Sequence, residues 1–177
     1  MRSCDKLIDM GRRRFLRGAA TATAGGVAAG AMGLVKPSEA KAATSIVNYP
    51  SQKLANLADL KVDSPLQITY PDPDSPGILI KLGTSVAGGV GPDGDIVAFS
   101  TLCPHKGFPL HYVAGDKSLN CPGHYSRFDC EKGGQEIWGQ ATENLPQFTL
   151  QVDAQGDIRA VAVEDLIYGR LSNVLKA

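Results

Sequence analysis

The amino-acid sequence predicts an all-β protein, an antiparallel β-sandwich or barrel with an inserted subdomain. Three observations lead there. From Ala43 onward, short apolar runs rich in Val, Ile and Leu alternate with dense Pro, Gly, Asp and Ser turn chemistry. Helical periodicity is scarce. A non-periodic stretch of roughly residues 101–146 then interrupts the strands with Pro, Gly, Cys and His.

In chain order, strands are expected at Ser45–Tyr49, Leu66–Tyr70, Gly77–Leu82, Asp95–Ser100, Arg127–Cys130, Phe148–Val152 and Asp157–Val163. The run Pro71-Asp72-Pro73-Asp74-Ser75-Pro76-Gly77 separates the second from the third. Gly91-Pro92-Asp93-Gly94-Asp95 and Asp153-Ala154-Gln155-Gly156-Asp157 each read as hairpin turns, because Asp and Gly supply the local hydrogen bonds and positive φ that reversals need. Two short helices are expected, over Leu54–Leu60 and Val163–Leu171. The base sandwich is expected to span residues 43–100 and 147–177, with residues 101–146 as the inserted subdomain.

The 177 residues are 43% hydrophobic and 20% charged, with a formal net charge of zero. That neutrality hides an asymmetry. Residues 1–42 hold eight of the 18 Lys and Arg but three of the 18 Asp and Glu, so residues 43–177 carry a net charge of −5. A mildly acidic body argues against nucleic acid as a partner. Within the basic head, Gly11-Arg12-Arg13-Arg14-Phe15-Leu16-Arg17 resembles a twin-arginine export signal. The charge-free, Ala/Gly-rich run Gly18–Val35 follows, and Ala40-Lys41-Ala42 offers a cleavage site. The expectation is a signal peptide over residues 1–42 and export, already folded, to the periplasm. With the leader removed, any membrane association is expected to be peripheral at most; the alternative is an uncleaved membrane anchor, since the run is just long enough to be a marginal span.

Chemistry concentrates in two loops. Cys103-Pro104-His105-Lys106-Gly107 gives C-x-H, and Cys121-Pro122-Gly123-His124-Tyr125-Ser126 gives C-x-x-H. Each loop mixes one thiolate with one imidazole. A structural Cys₂His₂ zinc site would use the same four residues, but its ligands usually come in like pairs. Mixed pairs match a Rieske [2Fe–2S] centre, in which two Cys hold one iron and two His the other. Cys130 has no partner for a structural disulfide once Cys103 and Cys121 are assigned and Cys4 falls in the leader, so it reads as a small buried hydrophobe. His111 matches no ligand position and reads as a surface or hydrogen-bond-satisfied histidine, with a docking contact as the alternative.

The loops thus resemble those of Rieske proteins. With the leader and the tail Val163-Glu164-Asp165-Leu166-Ile167-Tyr168-Gly169-Arg170, the whole chain is similar to the small subunit of bacterial arsenite oxidase. The resemblance implies an electron-transfer subunit with Cys103 and Cys121 on the inner iron and His105 and His124 on the outer, near the surface. It implies a larger partner holding a molybdenum–pterin site and its own iron–sulfur cluster, and a soluble c-type cytochrome or cupredoxin as acceptor. No residue of this chain is expected to touch substrate. Around the cluster, the disulfide Cys pair of cytochrome bc Rieske subunits is replaced by Phe108 and Gly123, so packing must hold the loops together, with Phe108 as filler. Ser126 matches a Ser whose hydroxyl bonds the cluster, while Phe128 stands where high-potential members have a Tyr. Hydrogen bonds to sulfur stabilise the more negative reduced state, so one fewer sets the expected potential in the middle of the range of about −150 to +300 mV. Gln140 replaces a usual Pro in the covering loop Gly139–Pro146, and Trp138 and Phe148 beside it are expected in the core, with a partner interface as the second reading. The alternatives are a quinol-oxidising cytochrome bc subunit, which needs an anchor, and a cytoplasmic Rieske ferredoxin, which needs no leader.

Overall fold

The structure, a computed structural model, describes residues 47–174. The basic leader and its export and cleavage motifs lie outside that range. Ser45–Ala177 forms one compact unit. Its described residues hold ten strands: β1 (Gln52–Asn56), β2 (Leu66–Thr69), β3 (Pro76–Lys81), β4 (Ile96–Ser100), β5 (His111–Val113), β6 (Ser118–Asn120), β7 (Arg127–Asp129), β8 (Gln135–Trp138), β9 (Phe148–Val152) and β10 (Asp157–Val163). All the named pairings are antiparallel, in three sheets ordered β1-β10-β9, β2-β3-β4 and β5-β6-β7-β8. The all-β fold class is the one expected.

The middle sheet explains the longest apolar runs. Side chains of a strand alternate between faces, so a strand covered on both sides must be apolar throughout. Leu79, Ile96 and Ala98 turn one way, onto Phe148, Leu150, Ile158 and Ala160 of the β1-β10-β9 sheet. Ile78, Ile80, Val97 and Phe99 turn the other way, onto Leu119, Cys121, Phe128, Cys130 and Leu145. The β2-β3-β4 sheet therefore supports the two loops from below while closing the base sandwich on its other face. At one edge, Ser100 N–H donates to the Pro146 carbonyl (2.9 Å), linking β4 to the chain entering β9.

Several local expectations are corrected. Leu54–Leu60 is not a helix: β1 runs to Asn56, and a single 3₁₀ turn, Leu57–Asp59, follows with Asn56 and Asp59 capping each other's backbone. Long-range pairing of β1 with β10 overrides the weak helical pattern there. Val163–Leu171 is not a helix either. Beyond Val163 the chain bends into an irregular strap fixed by side chains. Residues 47–49 of the strand expected over Ser45–Tyr49 are not extended in any sheet. The Asp153–Asp157 turn is a hairpin: the Asp153 carboxylate accepts from the N–H groups of Gln155 and Asp157. Gly91–Asp95 instead closes a longer connection, in which Val90 bridges Ile96.

Candidate metal centre

The two Cys/His loops are built to one plan. In the first, Cys103 N–H donates to the Phe108 carbonyl (2.9 Å) and Gly107 N–H donates back to the Cys103 carbonyl (2.7 Å). In the second, Cys121 N–H donates to the Ser126 carbonyl (2.8 Å) and Tyr125 N–H to the Cys121 carbonyl (3.1 Å). Each loop is a six-residue ring opening on Cys-Pro, and its fifth residue turns left-handed, Gly107 at φ 69° and Tyr125 at φ 64°. Left-handed backbone is costly for a residue with a Cβ, so Gly107 is suited to its place and Tyr125 is strained in its own.

The rings bring the four expected ligands together as two like pairs. Cys103 and Cys121 are both buried, in the same core cluster. Burial pushes the Cys103 thiol up; the N–H groups of His105 and Lys106 aimed at it act the other way, and neighbouring Cys121 raises it again. The imidazoles of His105 and His124 meet edge to face, centroids 4.7 Å apart. His105 Nδ1 is buried with no hydrogen-bond partner, an arrangement that a ligating nitrogen explains and a structural histidine does not. Among the described residues, no three Cys, His, Asp or Glu side chains gather closely enough for one ion. This donor set fits a binuclear [2Fe–2S] group, with Cys103 and Cys121 as the residues that would hold one iron and His105 and His124 the other. When bound, that group supplies one-electron transfer, and the four residues set its potential and access.

The surrounding side chains divide into fasteners and exposed aromatics. Phe108 is the filler that the missing disulfide calls for: its ring lies where a Cβ on Gly123 would be, 2.8 Å from the ring carbon Cγ, and meets His124 edge to face at 5.7 Å. Ser126 is fully buried. Its Oγ accepts from the N–H of Gln140 (3.0 Å) and of Ala141 (2.9 Å), which leaves the hydroxyl proton free to be donated. Gln140 thereby gains a role that the residue type alone hides, since a Pro there has no N–H to give. Phe128 is fully buried and carries no hydroxyl. Cys130 is fully buried, and burial pushes its thiol up to about 12. His111 is exposed on β5.

Trp138 is a correction. It is 68% exposed rather than in the core, while Phe148 is buried as expected. At the end of β8 it stands beside Tyr125 (73% exposed), and with His124, Gly139 and Gln140 the two line an open pocket of about 310 Å³. Sequence reasoning also missed Asp63, which accepts from the Tyr112 hydroxyl (2.8 Å) and from the Lys117 ammonium, tying the β5–β6 hairpin to the loop before β2. No local pattern marks that pair; the partners are more than 45 residues apart.

Comparison with known proteins agrees with this geometry. The Rieske [2Fe-2S] domain family matches residues 52–149. The chain is 43% identical to an iodate reductase subunit, IdrB, of Denitromonas iodatirespirans, over 93% of this chain and 86% of that one. It is 41% identical to the corresponding subunit of a Pseudomonas species, over 90% and 82%. A cytochrome bc1 Rieske subunit of Corynebacterium diphtheriae matches 36% of this chain at 39% identity, covering 16% of its own length. Among solved structures, the soluble domain of Rieske protein II from Sulfolobus acidocaldarius superposes with a TM-score of 0.62 at 26% identity, covering 70% of this chain and 82% of that one. The chain belongs to the Rieske [2Fe–2S] domain family and is an electron-transfer protein carrying a Rieske-type cluster.

Proposed function

We propose that the chain is the electron-transfer subunit of a periplasmic arsenite oxidase. It would pass electrons from a larger molybdenum–pterin subunit, with its own iron–sulfur cluster, to a soluble c-type cytochrome or a cupredoxin. The observation that carries the relay role is the polarity of the centre. Its thiols are sealed in the core, while His124 is exposed among Phe108, Tyr125 and Trp138. Electron transfer falls off with distance, so an exposed imidazole in an aromatic rim is where a docked partner comes nearest. Arsenite as the substrate rests on the resemblance of leader, loops and tail. In this reading residues 101–146 are the cluster-binding subdomain, on a base formed by 43–100 and 147–177. The leader, 1–42, would be removed after twin-arginine export, which N-terminal sequencing of the native protein checks. The potential is expected mid-range, with Ser126 present and Phe128 in place of Tyr.

A second reading has a specific observation behind it: the 43% and 41% identical relatives are iodate reductase subunits. The same relay would then run toward the large subunit instead of away from it. One experiment separates the two. Native complex, released from periplasm without detergent, is treated anaerobically with arsenite and followed by low-temperature electron paramagnetic resonance. A reduced-cluster signal supports arsenite oxidation. Silence with arsenite, together with loss of the signal when iodate is added to dithionite-reduced complex, supports iodate reduction. A cluster answering to neither removes both readings and returns attention to quinol.

A further inference from the structure

The C-terminal strap is held far more firmly than an irregular tail needs for its own sake. Ile167 is 1% exposed in the base core, and its N–H donates to Asn173 Oδ1 (2.9 Å). Asn173 in turn donates to the Tyr49 hydroxyl (3.1 Å) and the Asp165 carbonyl (2.8 Å). Arg170 grips Asp72 with both terminal nitrogens and also donates to the Asn173 carbonyl. Between the anchors Ile167 and Arg170 stands Tyr168, whose ring the anchors fix in place. That ring lies against Gly107: a Cβ there would fall 2.5 Å from Tyr168 Cε1 and 2.6 Å from Cδ1.

From this geometry we propose that Tyr168 is a positioning residue for the cluster. The strap presses its ring onto Gly107 and so fixes the first loop, and with it Cys103 and His105, against the base. The covalent spacing makes the coupling direct. Gly107 N–H is bonded to the Cys103 carbonyl, and Gly107 is two residues from His105. A loop free to rock at Gly107 would move one thiolate and one imidazole together relative to their partners on the second loop. The ring, rather than the hydroxyl, does this: the atoms next to Gly107 are ring carbons. This inference rests on the Rieske cluster and is independent of the substrate.

The test uses the full chain loaded with its cluster, as wild type, Tyr168→Phe, Tyr168→Ala, and Leu171→Ala as a control on a fully exposed strap residue. The readouts are the resonance line shape of the reduced cluster, its midpoint potential and its rate of loss to a chelator. Tyr168→Phe and Leu171→Ala are expected to match wild type. Tyr168→Ala is expected to show broadened lines, a displaced potential and cluster loss several-fold faster. Tyr168→Ala with wild-type line shape, potential and loss rate would overturn the proposal, and so would a Phe variant as disturbed as the Ala variant. Should Tyr168→Ala fail to fold, Tyr168→Leu carries the test. Broadened lines in the Leu variant support a need for the flat ring, and unchanged lines and potential refute it.

Discussion

Cys103–Phe108 and Cys121–Ser126 close the same hydrogen-bonded ring, yet the two loops are fastened in different ways. The first is held at its left-handed corner: Gly107 takes the strained conformation freely, and the Tyr168 ring packs where a side chain would otherwise be. The second is held at its far end. Buried Ser126 accepts two N–H groups from the covering loop, and Gly139 abuts its backbone, while the left-handed corner carries a Tyr that points into solvent. Between the loops, Phe108 packs on Gly123 and against His124, beside the like pairs of Cys103 with Cys121 and His105 with His124. One backbone motif thus serves two ends. The first loop is anchored toward the base, and the second offers His124, with Tyr125 and Trp138, outward. A Gly at that exposed corner would remove the backbone strain at little cost in packing.

The most severe break of the comparison treats the loops as equals. Cys103→Ser and Cys121→Ser are each expected to abolish the visible absorption and resonance signal of the cluster, since an iron loses one of its two thiolates in either case. Far-ultraviolet circular dichroism should report an intact base in both. A variant retaining the native signal would remove that Cys from the ligand set.

Next in size is Gly139→Ala, which attacks only the second loop. The new Cβ would lie 2.6 Å from the Ser126 backbone nitrogen, in a position already left-handed at φ 114°. Backbone cannot yield as a side-chain tip does, so a loss of about 3 kcal/mol is expected in denaturant unfolding. The two corners should then differ in sign. Gly107→Ala is expected to cost at least about 1–2 kcal/mol from the left-handed backbone alone, with the Tyr168 collision in addition. Tyr125→Gly is expected to be neutral or to gain up to about 1 kcal/mol, because relief of strain offsets the greater freedom of the unfolded chain. If Tyr125→Gly destabilises as Gly107→Ala does, relief of backbone strain does not decide the second corner.

The smallest effect concerns the strap behind the first loop. The Arg170 guanidinium holds the Asp72 carboxyl below its ordinary value of 3.8, and the hydroxyl of Ser75 adds to this. A depressed carboxylate contributes stability that is fully present above the unfolded value and is lost as pH falls through the folded one. The thermal midpoint of the wild type should therefore exceed that of Asp72→Asn at neutral pH and fall more steeply below about pH 4, so that the two curves converge. Parallel curves for the two would show that the pair does not hold the strap.

Much of this architecture was legible because it is local. The runs Ile78–Leu82 and Ile96–Phe99 announce strands buried on both faces, and Phe148–Val152 and Asp157–Val163 match the structure end to end. The spacing of Cys103, His105, Cys121 and His124 declares its chemistry without coordinates. Strands β5, β6 and β8 escaped notice because three or four residues carry too little periodicity, and they form only by pairing with one another. Trp138 was misread for a related reason: an aromatic residue next to a core segment is usually buried, but β8 is an edge strand whose end turns outward.

By itself the sequence determined the all-β class, the candidate donor residues and the absence of a second Cys pair between the loops, since these depend on residue types and short spacings. Only the tertiary structure decided how the loops are held and which way they face. Tyr168 is 61 positions from Gly107 in the chain, Asp63 is 54 positions from Lys117, and the donors to Ser126 come from a third loop. Such contacts exist only once the sheets have closed. No residue type or short spacing encodes them, because packing sets which distant groups share a surface.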